Sequence, residues 1–519
     1  MYEELLLKTF FRARFERDPN RIAVMDYDTG REYSYGELAN RSGRIAGYLK
    51  GRPSWRRGDR VALCARNGPW SLELFYAMPL VGGILSTYNC MLKEAELVGM
   101  LVHEAPRVVF FESAYAPLRA ALQKVLPETH FVRLDGPGAP GEGSYEEALG
   151  QPEWTGPWAE LDPEDICMLL HTGGTTGVPK AAKISYRALL CNTVGQVVTY
   201  SISEADIAYI SFPFFHCAAW NSALPILLCG GKVVLKRKFD AEECLRMVSG
   251  QRLTFLAGSP SVFRRMLRSP LFHRTDFSSV RSIRCGSATP TLELMRSYWE
   301  KGLLFYNGYG MTEAGPGVLS LPASSMSREL AARKAGSVGK PMIFTSVRIV
   351  DDAGRDVPAG VEGELLVRGC NMFSGYWDNS EEMARAVRDG WLYTGDIARR
   401  DEDGFYFICG RKKQMFISGG ENVYPIEIET ALLDQPDVED ACVFGVPDED
   451  WGEVGKAIVV RREGSALGKQ ELLQALAARL STIKVPRYIQ FVDRVPRSDA
   501  GKIMGEEVRE RYGVPGDSG

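Results

Sequence analysis

Residues 165–190 read DICMLLHTGGTTGVPKAAKISYRALL. Ile166 to Leu170 forms an apolar run of strand character, Thr172 to Lys180 is rich in glycine and threonine, and a helix is expected from about Ser185. Glycines 173, 174 and 177 let backbone N–H groups approach an anion closely. Thr172, Thr175 and Thr176 add hydroxyl donors, and Lys180 adds a mobile positive charge. The loop is not a Walker A motif, because Val178 and Pro179 separate Lys180 from the last glycine and Ala181 follows it. A Rossmann fingerprint is absent as well. Alone, the segment supports phosphate binding and nothing narrower.

The same strand-then-helix rhythm extends on both sides. Before about residue 160, RVALCA, SLELFYAMPLVGGIL and RVVFFE alternate with helix-like segments, as a parallel sheet covered by helices would. RLDGPGAPGEGSYEE reads as a surface loop. ICMLLHT, YISF, KVVLK, LTFLAG, VRSIRCG and LLFYNGYG form a second α/β series. From about Gly336, the glycine-punctuated runs SVRIVD, GELLVRG, GWLYTGD and GFYFICG predict a small antiparallel, barrel-like β unit. After GRKKQMFISGGEN the pattern becomes helix, strand, strand, helix, strand. The expected fold class is α/β: two α/β subdomains plus the β unit in residues 1–411, and a small α+β domain in residues 412–519.

Composition narrows the function. The chain has 519 residues, 45% hydrophobic and 25% charged, which excludes a disordered or fibrous protein. A net charge of −4 argues against a nucleic-acid partner. The 11 cysteines are scattered without a CxxC pair, and only 5 histidines occur, so neither a disulfide frame nor a zinc site is expected. The N-terminal MYEELLLKTFFRAR lacks the architecture of a secretory signal. The apolar stretch from Leu72 to Thr87 contains Glu73, Pro79 and two glycines, and so makes a poor membrane span. A soluble cytoplasmic protein is the expectation.

Three further segments carry chemistry. In LLFYNGYGMTEAG, Asn307 can pair with a purine edge and Tyr309 can stack on a flat base, while Thr312 and Glu313 suit a phosphate and its Mg²⁺. In WLYTGDIARRDEDGFYFICGRKK, Asp396 suits ribose hydroxyls and Arg411 the same nucleotide, although isolated residues of these types more often serve turns and surface ion pairs. In VPRSDAGKIM, Lys502 follows a glycine in a polar loop.

Together, in this order, TGGTTGVPK, NGYGMTE, YTGD, GRKK and AGK resemble the adenylate-forming (AMP-binding) superfamily, which includes acyl- and aryl-CoA synthetases, peptide-synthetase adenylation domains and beetle luciferases. The match runs from about Tyr33 to Met504. The resemblance implies ATP, Mg²⁺ and coenzyme A, and a C-terminal domain that swings about a hinge at Lys413. It assigns Thr172, Gly173, Gly174, Thr175, Thr176, Gly177 and Lys180 to the β- and γ-phosphates. Asn307 and Tyr309 fall to adenine, with Ser287, Ala288, Gly308, Gly310 and Met311 completing the nucleotide cleft. Thr312 meets the α-phosphate, Glu313 and Thr176 the metal, and Asp396 the ribose with Arg411 close by. Lys502 bridges the substrate carboxylate and α-phosphate, and His216 stands beside that carboxylate. Gly173, Ala181 and Ser498 are mild departures from the usual Ser, Gly, and Thr or Asn.

Within the superfamily, FHCAAW lacks the aspartate that meets an α-amine in amino-acid-activating members. ISGGENVYPIEIE and PDEDWGE resemble acyl-CoA ligases, in which Gly419 and Gly420 wall the pantetheine tunnel and Trp451 covers the CoA nucleotide. Trp220, Asn221, Gly308, Met311 and Gly315 are the expected acyl pocket, mostly apolar and suited to a fatty or aromatic acid. The alternative is an adenylation enzyme that loads a separate carrier protein. Partners are then a small carboxylic acid, ATP and CoA, with a homodimer as the oligomeric expectation.

Overall fold

A computed structural model describes residues 2–52, 55–89, 91–172, 179–321, 328–497 and 503–516. They form three sheets. The first orders its strands Gly143–Ser144, His130–Arg133, Val108–Phe111, Arg60–Cys64, Ile84–Thr87, Ile166–Thr172 and Lys180–Ser185. All neighbours are parallel except the last pair. Parallel strands covered on both faces need unbroken apolar runs, and VVFF at 108–111 is buried throughout.

The chain doubles back at its phosphate-loop candidate. Thr172 stands opposite Lys180 in an antiparallel hairpin, so the loop joins two strands before the helix begins. That second strand is illegible in the sequence because KAAKIS, two lysines and two alanines among six residues, carries little β preference. Helix Tyr186–Tyr200 starts as expected, and the Ser185 hydroxyl accepts the Ala188 N–H at 3.3 Å. Such a cap stabilises a helix by about 1 kcal/mol.

The second sheet has 14 strands. Its parallel centre runs through Phe305–Tyr309, Ser282–Cys285, Phe255–Gly258, Ile207–Tyr209, Lys232–Leu235 and Ile22–Asp26. Phe305–Tyr309 pairs in parallel on one side and antiparallel with Leu319–Ser320 on the other. Beyond it lie Ser337–Pro341, Tyr406–Arg411, Trp391–Arg400, Gly363–Gly369 and Thr345–Val350. The β unit is therefore an open flank continuous with the central sheet. No closed barrel forms among the described residues, because the edge that would close one pairs instead with the parallel core. Ligands in open α/β sheets sit where strand connections change direction, at the carboxyl ends of the strands.

The third sheet belongs to the C-terminal region. Gly452–Arg461 pairs with Val438–Asp448, Phe416–Ser418 and Tyr488–Phe491, and Glu421–Val423 extends the edge. Helices Pro425–Leu433 and Lys469–Ala477 cover it, in the order read from the sequence. Its own core includes Phe416, Ile428, Leu432, Val459 and Leu472. Arg268 on helix Pro260–Arg268 reaches across to Glu439, with Nη1 and Oε1 2.8 Å apart.

The apolar stretch near Leu72 becomes buried helix Pro69–Val81 and strand Ile84–Thr87. Among the described residues no helix is long and apolar enough to cross a membrane. The ten described cysteines are free thiols.

Candidate active site

Gly173, Gly174, Thr175, Thr176 and Gly177 lie outside the described residues, as does Lys502. Their flanks are placed. Thr172 and Lys180 frame the loop, and the Lys180 ammonium meets Glu382 with Nζ and Oε1 2.5 Å apart. That hydrogen bond holds the Glu382 carboxyl below the usual range. Arg497 and Ile503 form an antiparallel bridge around residues 498–502.

Asn307 is the most telling residue. It sits on Phe305–Tyr309, is 1% exposed, and neither amide atom has a hydrogen-bond partner among the described residues. Leaving a buried polar group unpaired costs about 1–3 kcal/mol, so an orphaned amide marks a place for a ligand with matching donors and acceptors. Cys285 lies in register with it, and the chain then turns through Ser287 at φ +70°, a left-handed conformation rare for a non-glycine residue. The turn carries Ser287 and Ala288 to the same strand ends.

Two residues further, the Tyr309 hydroxyl donates to Asp396 Oδ2 at 2.5 Å. Arg411 Nε approaches the other oxygen, Oδ1, at 2.7 Å from directly across an antiparallel pair. Burial pushes the Asp396 carboxyl up, against the opposing pull of Arg411 and the Tyr309 hydrogen bond. Burial likewise pushes the Tyr309 hydroxyl well up. A vicinal diol is the ligand that can exchange hydrogen bonds with such a carboxylate. Gly310 permits the tight exit from the strand, since a Cβ there would stand 2.0 Å from Pro316 O.

The segment Thr312–Ala314 is a short 3₁₀ turn. Glu313 is 7% exposed; its Oε1 accepts the Tyr376 hydroxyl at 3.0 Å, and its backbone carbonyl accepts the Phe373 N–H at 3.0 Å. Its second carboxylate oxygen has no hydrogen-bond partner among the described residues. No described group of three His, Cys, Asp or Glu side chains could hold a metal alone. One oriented carboxylate with a free oxygen fits Mg²⁺, which binds through one or two carboxylates, substrate phosphates and water.

Thr312 Oγ1 donates to Cys217 Sγ at 3.3 Å, tying this turn to the start of helix Cys217–Cys229. His216 caps that helix: its Nδ1 accepts the Ala218 N–H at 3.2 Å, which leaves the ring proton on Nε2. The ring stacks on Phe212 with centroids 5.9 Å apart. Trp220 packs between Phe75 and Phe214, and its indole N–H donates to Phe214 O at 2.7 Å. Asn221 meets Asn192 in a buried amide pair at 2.8 Å. The Tyr309 hydroxyl stands 3.8 Å from Met311 Sδ. Gly315 is left-handed, at φ +65°, and a Cβ there would stand 2.7 Å from Asn371 O.

On the C-terminal sheet, Gly419 and Trp451 are in contact. The Gly419 N–H donates to Trp451 O at 2.9 Å, and a Cβ on Gly419 would stand 2.6 Å from the indole ring. Gly420 follows at φ +86°, and Trp451 is 42% exposed. Arg411 ends its strand, and the Lys412 N–H donates to Gly395 O at 2.8 Å, immediately before Lys413.

Sequence reasoning did not single out Tyr376, which donates to Glu313, or Glu382, which pairs with Lys180.

A buried, unpartnered Asn307 amide lies two residues from Tyr309, whose hydroxyl meets the Asp396 carboxylate, and the strand pair Thr172–Lys180 frames the glycine-rich segment. The AMP-binding enzyme model matches residues 11–377, and the AMP-binding enzyme C-terminal domain model matches residues 427–502. The chain belongs to this family. It is 38% identical over 503 residues to a feruloyl-CoA synthase from Amycolatopsis sp, covering 97% of this chain and 98% of that one. It is 35% identical to an indoleacetate–CoA ligase from Aromatoleum aromaticum, covering 95% of each. Among solved structures, ATP-bound MatB from Rhodopseudomonas palustris is 30% identical and superposes with a TM-score of 0.87 over 97% of this chain and 98% of that one.

Proposed function

We propose that the protein is an ATP-dependent acyl-CoA ligase. It activates a carboxylic acid as the acyl-adenylate with release of pyrophosphate, then transfers the acyl group to coenzyme A, leaving AMP. The observation that carries the reading is the buried, unpartnered Asn307 amide next to the Tyr309–Asp396–Arg411 cluster.

A carboxylate is a poor electrophile, and adenylation gives its carbonyl a good leaving group. Catalysis is then positioning and charge neutralisation. Asn307 and Tyr309 hold the base, and Asp396 with Arg411 holds the ribose. The loop from Thr172 to Lys180 holds the outer phosphates, and Thr312 the α-phosphate. Lys502 neutralises charge between the carboxylate and the α-phosphate, with His216 beside the carboxylate. Glu313 and Thr176 hold Mg²⁺, which supplies charge neutralisation at the phosphates when bound. Gly419, Gly420 and Trp451 receive the thiol substrate. Residues 1–411 and 412–519 act as two bodies about Lys413. The free thiols suit a reducing cytoplasm, and a homodimer is part of the proposal.

The feruloyl and indoleacetate relatives favour an aromatic acid over a fatty acid. Pyrophosphate release across a panel of acids, with and without CoA, tests the reading. Acid-dependent release followed by CoA-thioester formation supports it. Adenylation that proceeds only to a carrier-protein phosphopantetheine would favour a loading enzyme instead.

A further inference from the structure

Strand Gly452–Arg461 lies inside the C-terminal sheet, and its side chains alternate between two apolar layers. Ala457 and Val459 enter the core beneath helices Pro425–Leu433 and Lys469–Ala477. Val454 and Ile458 enter a smaller cluster on the opposite face, with Phe444, Val495 and Val508. Lys456 falls between Val454 and Ile458 on that second face, and it is 1% exposed.

A lysine is almost never buried so completely without a partner. The Lys456 ammonium donates to the backbone carbonyl of Val514, with Nζ and O 2.9 Å apart. Val514 stands just beyond helix Gly505–Tyr512, which contributes Val508 to the smaller cluster and rests Tyr512 against it. Gly513 lets the chain leave the helix closely: its N–H donates to Arg509 O at 2.8 Å, and a Cβ there would collide with that oxygen.

This helix begins three residues after Lys502. On the incoming side Val495 is buried in the same cluster. Pro496 O accepts the Met504 N–H at 3.0 Å, and Arg497 bridges Ile503, so the two ends of segment 498–502 are pinned together. The outgoing end then runs straight into the helix. Eight residues make a helix that is marginal alone, so its seat is set by what it touches. Those contacts are the apolar cluster in its middle and the buried ammonium past its end.

We infer that Lys456 is a positioning residue for adenylation: by holding Val514 it seats helix Gly505–Tyr512 and so fixes the outgoing end of the segment that carries Lys502. This rests on the ligase reading above and on the part it gives Lys502. An apolar side chain at position 456 would fill the layer but leave the far end of the helix untied. Catalysis by one well-placed charge is steep in position, since a shift near 1 Å can cost about 10²-fold. Only the step that uses Lys502 is sensitive to that seat.

The test uses Lys456→Met, which keeps the chain length and removes the donor, and Gly513→Ala, which displaces Val514 and leaves Lys456 in place. Adenylation is read as pyrophosphate release with whichever of 4-hydroxycinnamate, indoleacetate and decanoate the wild type turns over fastest. Thioester formation is read separately, from the pre-made acyl-adenylate. Each variant should slow adenylation by roughly 10- to 100-fold through kcat, with KM for ATP and acid within about 2-fold. Thioester formation should stay within about 2-fold of the wild type. In a Lys502→Ala background, either variant should slow adenylation by no more than about 2-fold further, because its effect passes through that side chain.

Losses that fall equally on both half-reactions, or that add in full to the loss from Lys502→Ala, would overturn the inference and leave Lys456 a structural residue only. Adenylation at the wild-type rate in Lys456→Met would overturn it too. If Lys456→Met does not fold, Gly513→Ala decides by the same criteria. Lys502→Ala adenylating at the wild-type rate would refute the role of Lys502, and this inference with it. Failure of every acid to release pyrophosphate with the wild type would refute the ligase reading itself.

Discussion

His171 Nε2 stands 2.5 Å from Glu104 Oε1, and the other ring nitrogen faces Thr87 O at 3.0 Å. Both ring nitrogens therefore face oxygen atoms. Glu104 also accepts the Ser86 hydroxyl at 2.5 Å and the Tyr88 hydroxyl at 2.6 Å. Burial pushes the Glu104 carboxyl up, but the charge and hydrogen bond of His171, with the two hydroxyls, bring it below its usual range. The pair lies at the root of the loop that begins at Thr172.

Removing one partner of a buried pair strands the other. Glu104→Gln should therefore destabilise the protein by roughly 3–5 kcal/mol in urea unfolding and raise KM for ATP. Because the folded-state carboxyl is depressed, its contribution is present above the ordinary carboxylate range and lost as pH falls through the folded value. A loss below about 1 kcal/mol would mean that the pair carries no net weight.

Lys180 cannot serve Glu382 and a triphosphate equally. The pair is partly exposed, at 20% and 26%, and such pairs are worth at most about 1 kcal/mol. Glu382→Gln should lower KM for ATP by up to roughly 5-fold with kcat little changed. A rise in KM would show that Glu382 helps place the lysine instead.

Lys502→Ala should slow adenylate formation by roughly 10²- to 10³-fold, the cost of removing one preorganised charge partner. Thioester formation from a pre-made acyl-adenylate should be nearly spared, because that charge has already been transferred away. Stopped-flow measurement of the two half-reactions separates them, and equal losses would remove the assignment.

Glu429 is half-buried on helix Pro425–Leu433, accepts the Val443 N–H at 2.9 Å, and is flanked by Cys442, Arg497 and Asp440. Burial raises its carboxyl from 4.5 to about 7, against the pull of the Val443 N–H and Arg497. Between those values the folded chain keeps a proton that the unfolded chain has released, so stability falls with rising pH across the window and levels above it. The difference in Tm between the wild type and Glu429→Gln should shrink or reverse from pH 5 to pH 8. A difference independent of pH would show that Glu429 does not titrate there.

What the sequence disclosed and what it withheld divide along physical lines. Strands buried on both faces, such as VVFF at 108–111, announce themselves by composition, and so does the helix–strand order after Arg411. KAAKIS does not, because its strand is imposed by pairing with Ile166–Thr172. Asn307, Asp396 and Arg411 were readable as an ordered set of motifs, while the Asp396–Arg411 register needed the fold. Glu382 carried no signal at all. Its partner, Lys180, is 202 residues away, and one charged side chain in a sequence does not reveal whether a counter-charge awaits it.

Since one hydrogen-bonded sheet carries Asn307, Tyr309, Asp396 and Arg411, the separation between the proposed grip on the base and the proposed grip on the sugar is set by strand pairing. Were the C-terminal region to turn about the proposed hinge at Lys413, that spacing would be left untouched. The adenosine moiety can then stay seated throughout the catalytic cycle, acting as the fixed ruler against which each successive reactant is brought to the acyl carbon. AMP would be the last product to leave, and its departure would be paced by the opening of the Tyr309–Asp396 contact rather than by rotation of the smaller body.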